Sequence, residues 1–331
     1  MANYRDIHGF QIEIRSDNPS NPIDGQVWYN TTDSKLRGAA VTSVGGWATA
    51  ATMNRGKYAG AGAGASNTSA LFFGGNYPPG DNLTAETEQY DGTSWTEVGD
   101  LNTARQNLSG NGVATSALAY GGFIPPGNTV TDITESWNNS AWTEVADLNT
   151  GRINPGTSGV SNTSNLAFGG DDFTPPSRAQ NLTESWDGTC WTEVGDLNTA
   201  RSSLAGAGTA TSALTFGGSQ IPGNVANTES WNGSGWTEVA DLNTARVNHA
   251  GAGTSNTSAL AFGGTPPVTG KTESWNGTSW SEENDLNAAR SDLAGDGTAT
   301  SALAFAGSPP IGGQTEEWAV PFTSTREFTL S

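Results

Sequence analysis

Short apolar runs and polar turns succeed one another along this chain in an order that recurs. In the stretch 246–280, SALAF at 258–262 is a compact apolar run stopped by Gly263-Gly264. A polar strand follows, TESW at 272–275, with apolar and polar positions too close in sequence for a helical face. The pair Asn276-Gly277 marks a hairpin turn, because its residues accept the positive φ angles of two-residue loops. A second tryptophan, Trp280, comes next, and a polar linker leads through Leu286 to Arg290. The pattern predicts four short strands, A to D, joined by tight turns into an antiparallel meander.

The same phrase is copied along the chain. The double glycine returns at 74–75, 121–122, 169–170 and 217–218, and degenerates to Ala306-Gly307. The aromatic ending the third strand is Tyr90, Trp137, Trp186, Trp231, Trp275 or Trp318. The second tryptophan is Trp95, Trp142, Trp191, Trp236 or Trp280, and the linker DLNTAR or a variant ends at Arg105, Arg152, Arg201, Arg246 or Arg290. The period is roughly 43–48 residues, that of four-stranded propeller repeats. In the third copy, strand A follows Arg152, B covers 165–168, C covers 182–186, Asp187-Gly188 turns the chain, and D carries Trp191 and Val194. Strand A is almost all Gly, Ala, Ser and Thr, as in LAGAGTA at 204–210, which suits a crowded axis. The tryptophans of C and D suit the widening gap toward the rim.

The ends of the chain settle the count. The last copy has strands A, B and C but no second tryptophan, and GGWATAATMNR at 45–55 resembles the end of a unit, with Trp47 at the second-tryptophan position. The expected fold is therefore all-β, a six-bladed propeller closed by an N-terminal strand, which protects the open edges of first and last blades. Residues 41–319 form the propeller, 1–40 an N-terminal extension and 320–331 a C-terminal tail. In the extension, QVWYN-TTDS-KLRG reads as a hairpin with Trp28 and Tyr29 on one strand, 31–34 in the turn and Leu36 on the return. The tail alternates enough from Thr323 to Leu330 to add a strand against that hairpin or against a partner.

Composition sharpens this picture. The 331 residues include 44 glycines, but the glycines are periodic and sit beside aromatics, so they mark turns and close packing rather than disorder. The formal net charge of -19 argues against nucleic-acid or anionic-membrane partners, which require clustered Lys and Arg. No apolar run reaches membrane-spanning length, and no membrane insertion or signal-peptide core is expected. The one cysteine, Cys190, excludes an internal disulfide framework and is expected to be a buried or half-buried filler before Trp191.

The double glycine after an apolar strand, the aromatic on the next strand and the tryptophan before an Arg-ended linker together resemble kelch repeats over about residues 41–318. More narrowly, MANYRDIHGF, GQVWYNTTDSKLRG and the SALAFGG…TESWNGTSWTEVADLNTAR units are similar to kelch-like structural proteins of tailed bacteriophages, notably those infecting marine cyanobacteria. That resemblance implies a virion component assembled in the host cytoplasm, with other virion proteins as partners. The GxVWYNTTxxKLR block is similar to opening segments of phage fibre and appendage proteins, which makes Trp28, Tyr29 and Leu36 candidate attachment residues.

Candidate chemistry is sparse. Galactose oxidase shares the kelch fold and needs copper held by Tyr and His ligands, whereas this chain has two histidines, His8 and His249. No metal site, cofactor or catalytic residue is assigned, and no enzymatic activity is expected. The acids recur in every unit, as Glu135, Glu184, Glu229 and Glu273 on strand C, which points to a structural role, and the repeated Arg is expected to bond linker carbonyls or pair with such acids. Variation concentrates between strands B and C, on the same face as the D–A linkers. Candidate binding residues there are Tyr77, Asp81 and Ile124, then Asp171, Asp172 and Phe173, then Arg178, Gln220 and Lys271. Variable loops on a repeated scaffold suit recognition, so the alternative function is a carbohydrate-binding module that engages a host surface glycan through these loops.

Overall fold

The computed structural model describes residues 12–19, 26–42, 45–80, 82–125, 129–173, 179–220, 223–320 and 322–328. Among them there is no helix. The chain divides into two compact units, one of residues 1–46 with 319–331 and one of residues 47–318.

The smaller unit is a four-stranded sheet. Val27–Asn30 pairs antiparallel with Lys35–Thr42 across the turn at 31–34, as the hairpin pattern predicts. Glu13–Arg15 adds in parallel on one side and the tail strand Phe322–Phe328 antiparallel on the other. Trp28 is fully buried. Its indole N–H donates to Asn18 Oδ1 (3.2 Å), which also accepts from Asn30 (3.0 Å) and from Arg37 (2.9 Å).

The larger unit repeats one sheet. Ala61–Ser66, Ser69–Phe73, Thr87–Tyr90 and Trp95–Glu97 form its first copy in the order A-B-C-D. Copies beginning at Ser109, Gly156, Ala205 and Ala250 follow with the same order. In one more sheet, Ala294–Thr298, Ser301–Phe305 and Thr315–Ala319 are completed by Gly46–Thr49 from the other end of the sequence. The architecture is all-β, built of repeated four-stranded antiparallel sheets and consistent with a β-propeller.

Residue size explains the stacking. Each A strand packs against the A strands of its two neighbours, and Ala61–Ser66 packs against both Ser109–Val113 and Ala294–Thr298. A Cβ at Gly206 would stand 2.2 Å from the Thr157 carbonyl of the adjacent sheet, so only glycine allows that approach. The B strands carry the apolar core: Leu71, Leu118, Leu166, Leu214, Leu260 and Leu303 are all buried. The second tryptophan of each sheet packs on the last aromatic of the preceding B strand, edge-on in five of them, as in Trp142 on Phe73 (4.8 Å) and Trp47 on Phe262 (4.9 Å), and tilted for Trp95 on Phe305 (5.2 Å). Its indole N–H then finds a threonine hydroxyl on the preceding C strand. Trp142 donates to Thr87, Trp191 to Thr134, Trp236 to Thr183 and Trp280 to Thr228. Trp47 donates to Thr272, and Trp95 donates to Thr315.

The linker between sheets is latched by buried charge. Asn149 donates its backbone N–H (2.8 Å) and its side-chain amide (2.8 Å) to Glu184 Oε2 on the next C strand. The same amide reaches the Trp191 carbonyl (3.1 Å). Arg152 pairs with the other oxygen of Glu184 and donates to the carbonyls of Thr150 and Leu182. The arrangement recurs as Asn102/Arg105 on Glu135, Asn198/Arg201 on Glu229, Asn243/Arg246 on Glu273 and Asn287/Arg290 on Glu316. All of these Arg and Glu side chains are buried. Of the two expected roles, the pairing with acids occurs at all five arginines. Linker carbonyls are bonded by Arg105, Arg152 and Arg290, while Arg201 and Arg246 bond carbonyls flanking strands B and C instead.

At the seam between the two ends of the repeat array the register differs from the sequence alignment. Matching 45–55 to the linker places Arg55 at the repeated arginine. Instead Asn54 occupies the asparagine place, bonding Glu88 (2.8 Å), and Lys57 takes the arginine place, 2.6 Å from Glu88 and 3.1 Å from Glu86. Arg55 is partly exposed and pairs with Glu86 (2.6 Å). The cause is the latch itself, which needs its cation three residues after the asparagine.

Two further details break simple repetition. Asn67, Asn162 and Asn256 lie in the A–B turns of alternate sheets, and each donates to the tryptophan carbonyl of the preceding sheet: Trp318, Trp137 and Trp231. The same three sheets carry a register shift in strand A, at 64–66, 159–161 and 253–255. Cys190 is exposed, contrary to the expected filler role. It sits at the tip of the C–D turn, where its N–H is held by Asp187 (3.0 Å) and its side chain meets no core.

Removing one partner of a buried ion pair leaves an unpaired buried charge. Glu184→Ala is therefore expected to lower stability by about 3–5 kcal/mol, measured by urea denaturation. Glu282→Ala, at an exposed pair with Lys271, costs under about 1 kcal/mol. Trp47→Ala should cost about 3–5 kcal/mol and accelerate hydrogen exchange in Thr315–Ala319 ahead of the other C strands. Uniform acceleration would contradict a local closing role for that strand.

Candidate functional site

The D–A linkers and the B–C loops meet on one face of the larger unit. Bridges join them at Tyr58/Asn76, Gln106/Phe123, Ile153/Asp171, Ser202/Ser219, Val247/Thr265 and Ser291/Ser308. The second residue of each pair directly follows the double glycine or its degenerate Ala-Gly form, which aims the loop back over the linker. Several B–C loops then fold into small hairpins, such as Asn76–Tyr77 with Asn82–Leu83 and Phe123–Ile124 with Thr129–Val130.

Most of the chemistry on this face gathers in the loops of the second and third sheets. The rings of Phe123 and Phe173 meet edge to face, with centroids 5.9 Å apart. Phe173 has a φ of 60°, an uncommon conformation for a bulky side chain, and its N–H is held by Asp171 Oδ1 at 2.6 Å. Asp172 accepts from Gln180 (2.8 Å). Phe123, Ile124, Asp171, Asp172, Phe173 and Gln180 are all half-buried. A second, separate group lies at the first sheet. The Arg55 guanidinium stacks over the Tyr77 ring at 4.3 Å while pairing with Glu86. Gln220 is exposed, and Lys271 bonds Thr244 (3.0 Å). Asp81 and Arg178 lie outside the described residues.

The structure thus sets the loop of Asp171, Asp172 and Phe173 against that of Ile124, through Phe123, and leaves Tyr77, Gln220 and Lys271 on other loops. Sequence reasoning missed Phe123, Gln180 and Arg55. Phe123 carried a signal: it is the aromatic exception at the position after the double glycine, where the other sheets have Asn76, Asp171, Ser219, Thr265 and Ser308. In the smaller unit, the candidate attachment residues divide. Trp28 is buried, and Tyr29 and Leu36 are half-buried.

At the centre of the linker face the backbone closes on itself. Ala59, Asn107, Asn154, Ser203, Asn248 and Asp292 all have positive φ, between 47° and 55°. Each N–H donates to the carbonyl of the preceding member: Asn107 to Ala59, Asn154 to Asn107, Ser203 to Asn154, Asn248 to Ser203 and Asp292 to Asn248. Ala59 donates to Asp292 (3.1 Å) and completes the circle. These residues line a cavity of about 110 Å³ at the mouth of an axial channel, with Leu108, Leu204, His249 and Leu293. The His249 imidazole is buried where three sister sheets carry Leu108, Leu204 and Leu293, and that burial, with the Arg246 guanidinium nearby, holds it well below the usual histidine range. Burial raises the Asp292 carboxyl, against the Ser291 hydroxyl that bonds it (2.9 Å). Among the described residues no three His, Cys, Asp or Glu side chains cluster as metal ligands.

Searches with this chain find no matching protein-family model and no matching curated protein.

An aromatic pair of this geometry is worth about 0.5–1.5 kcal/mol beyond its burial. Phe123→Ala should lower the thermal midpoint by a correspondingly small amount and release Phe173, visible as a gain in ring mobility by NMR. An unchanged Phe173 spectrum would mean that Asp171 alone fixes the loop.

Proposed function

We propose that this chain is a non-enzymatic structural protein of a tailed-phage virion, built as a six-bladed kelch-like propeller closed by its N-terminal strand. The architectural part rests on circularity. The backbone ring at the channel mouth runs through six linkers and returns to its start. The indole-to-threonine bonds likewise run from sheet to sheet and come back through Trp47 and Trp95.

One observation carries the functional part: the buried charged residues, Arg and Glu, repeat around the array instead of converging on one pocket. The Asn/Arg–Glu latch uses the same residue types at junction after junction, and the buried glutamate of each C strand is spent in it. A scaffold has use for such redundancy, whereas a catalytic site needs a unique constellation. The resemblance to phage kelch-like proteins supplies the setting, a virion in which the neighbouring partners are other virion proteins. The small sheet of residues 1–46 and 319–331 is then the means of attachment, and the larger unit is the part displayed.

The paired Phe123 and Phe173 rings beside Asp171 and Asp172 favour a second reading, in which the B–C loops hold a host surface glycan. Aromatic rings cover sugar C–H faces while carboxylates accept from hydroxyls.

Cryo-EM of purified virions at side-chain resolution tests the first reading. The propeller is expected in the particle, contacting it through the small sheet, with the B–C loops outward. Particles without this chain would overturn the virion assignment. Particles with the B–C face packed on neighbouring proteins would overturn the glycan reading and leave an assembly role. A chain lacking residues 1–44 and 321–331 is expected to keep a cooperative melt and to fail to join particles.

A further inference from the structure

The backbone circle at the channel mouth explains why its six members have positive φ, but it does not explain their side chains. Glycine takes such angles without a steric penalty. The chain carries 44 glycines and uses them at the positive-φ pairs that follow the B strands. No ring position is glycine, although conformation alone would favour it at all of them. Asparagine and aspartate tolerate this region better than other side chains, yet still at some cost. The residues retained are Asn107, Asn154, Ser203, Asn248 and Asp292, with Ala59 as the apolar exception.

These side chains share one space. All five polar residues line the cavity of about 110 Å³ at the axis, and all are half-buried. The amides of Asn107, Asn154 and Asn248 and the hydroxyl of Ser203 find no hydrogen-bond partner among the described residues. Each amide offers two donors and two acceptor sites. Behind them His249, 6% exposed, packs its ring against Phe216 and Gly217 and closes the floor of the cavity. No Lys or Arg lines the cavity, and Asp292 together with the net charge of -19 disfavours an anion. A water needs about 10–15 Å³ of such space, so the cavity holds several waters, which the hydroxyls of one ligand could replace.

We propose that this crown is a binding site for a neutral polyol, a single sugar residue whose hydroxyls exchange hydrogen bonds with Asn107, Asn154, Ser203, Asn248 and Asp292. Polyol hydroxyls donate and accept, as the crown does, and they match a mixed set of amides, hydroxyl and carboxylate that carries no positive charge for a phosphate. The site lies on the axis and uses none of the residues of the Phe123–Phe173 pair, so it stands apart from the loop reading above.

Saturation-transfer NMR on the full chain tests the site, with glucose, galactose, mannose, rhamnose and N-acetylglucosamine as separate probes in the millimolar range. At least one should receive saturation. Asn154→Gly and Asn248→Gly should each weaken its binding by about tenfold, while the thermal midpoint holds or rises because glycine relieves the backbone. Asn154→Ser, which installs the residue already present at 203, should weaken binding equally without disturbing the ring. Phe123→Ala should leave binding unchanged. The proposal fails if no probe is saturated. It fails equally if the asparagine variants bind as the parent does, or if Phe123→Ala alone abolishes the signal, which would move the sugar to the loops.

Discussion

A glutamate carboxylate with no access to water holds this protein in its shape. Glu135, Glu184, Glu229, Glu273 and Glu316 sit on the C strands, and each gathers an asparagine and an arginine from the incoming linker; at Glu88 the cation is Lys57. Desolvating such a charge is costly unless every lone pair is met. Each linker therefore has to arrive in one conformation, with its asparagine and cation three residues apart. That conformation delivers the next residues in the left-handed region, and these form the backbone circle at the axis. The same path starts strand A beside its neighbour, so the glycine-lined centre and the latch constrain one another.

Apolar packing fills the space that this frame defines. The edge-on tryptophans span the widening gap between sheets, where each indole covers a phenylalanine or tyrosine and finds a threonine hydroxyl. Variation is thereby confined to segments outside the frame. The B–C loops are anchored at one residue beside the linker and are otherwise free to differ, which is why aromatic, acidic and amide side chains appear there sheet by sheet.

Much of the fold was legible because its signals are local and copied. The double glycines, the paired tryptophans and the DLN linkers gave the strands and their order, and the missing second tryptophan of the last unit pointed to Trp47. The seam was misread because the alignment weighed Arg55 by residue type, whereas the structure selects by spacing and accepts Lys57. Cys190 was placed inward by its neighbour Trp191, but a turn tip reverses the side-chain direction within a residue or two. The candidate site was only partly legible. Loop membership could be read from variability, but the meeting of Phe123 with Phe173 depends on how two loops from different sheets lean, and no sequence period encodes that. The polar crown was hidden for a different reason. Its members, spaced a full repeat apart, look like ordinary turn asparagines until the backbone brings them round one axis.

The asparagines at 67, 162 and 256 occur in every second sheet, each bound back to the sheet before it. The tandem element is therefore a pair of sheets, three times over, rather than one. An array of this kind can lengthen or shorten by whole pairs without leaving any asparagine bridge unmatched. Gain or loss of a single sheet would set two like turns side by side and break the alternation. The lineage of such a gene is expected to move in steps of two.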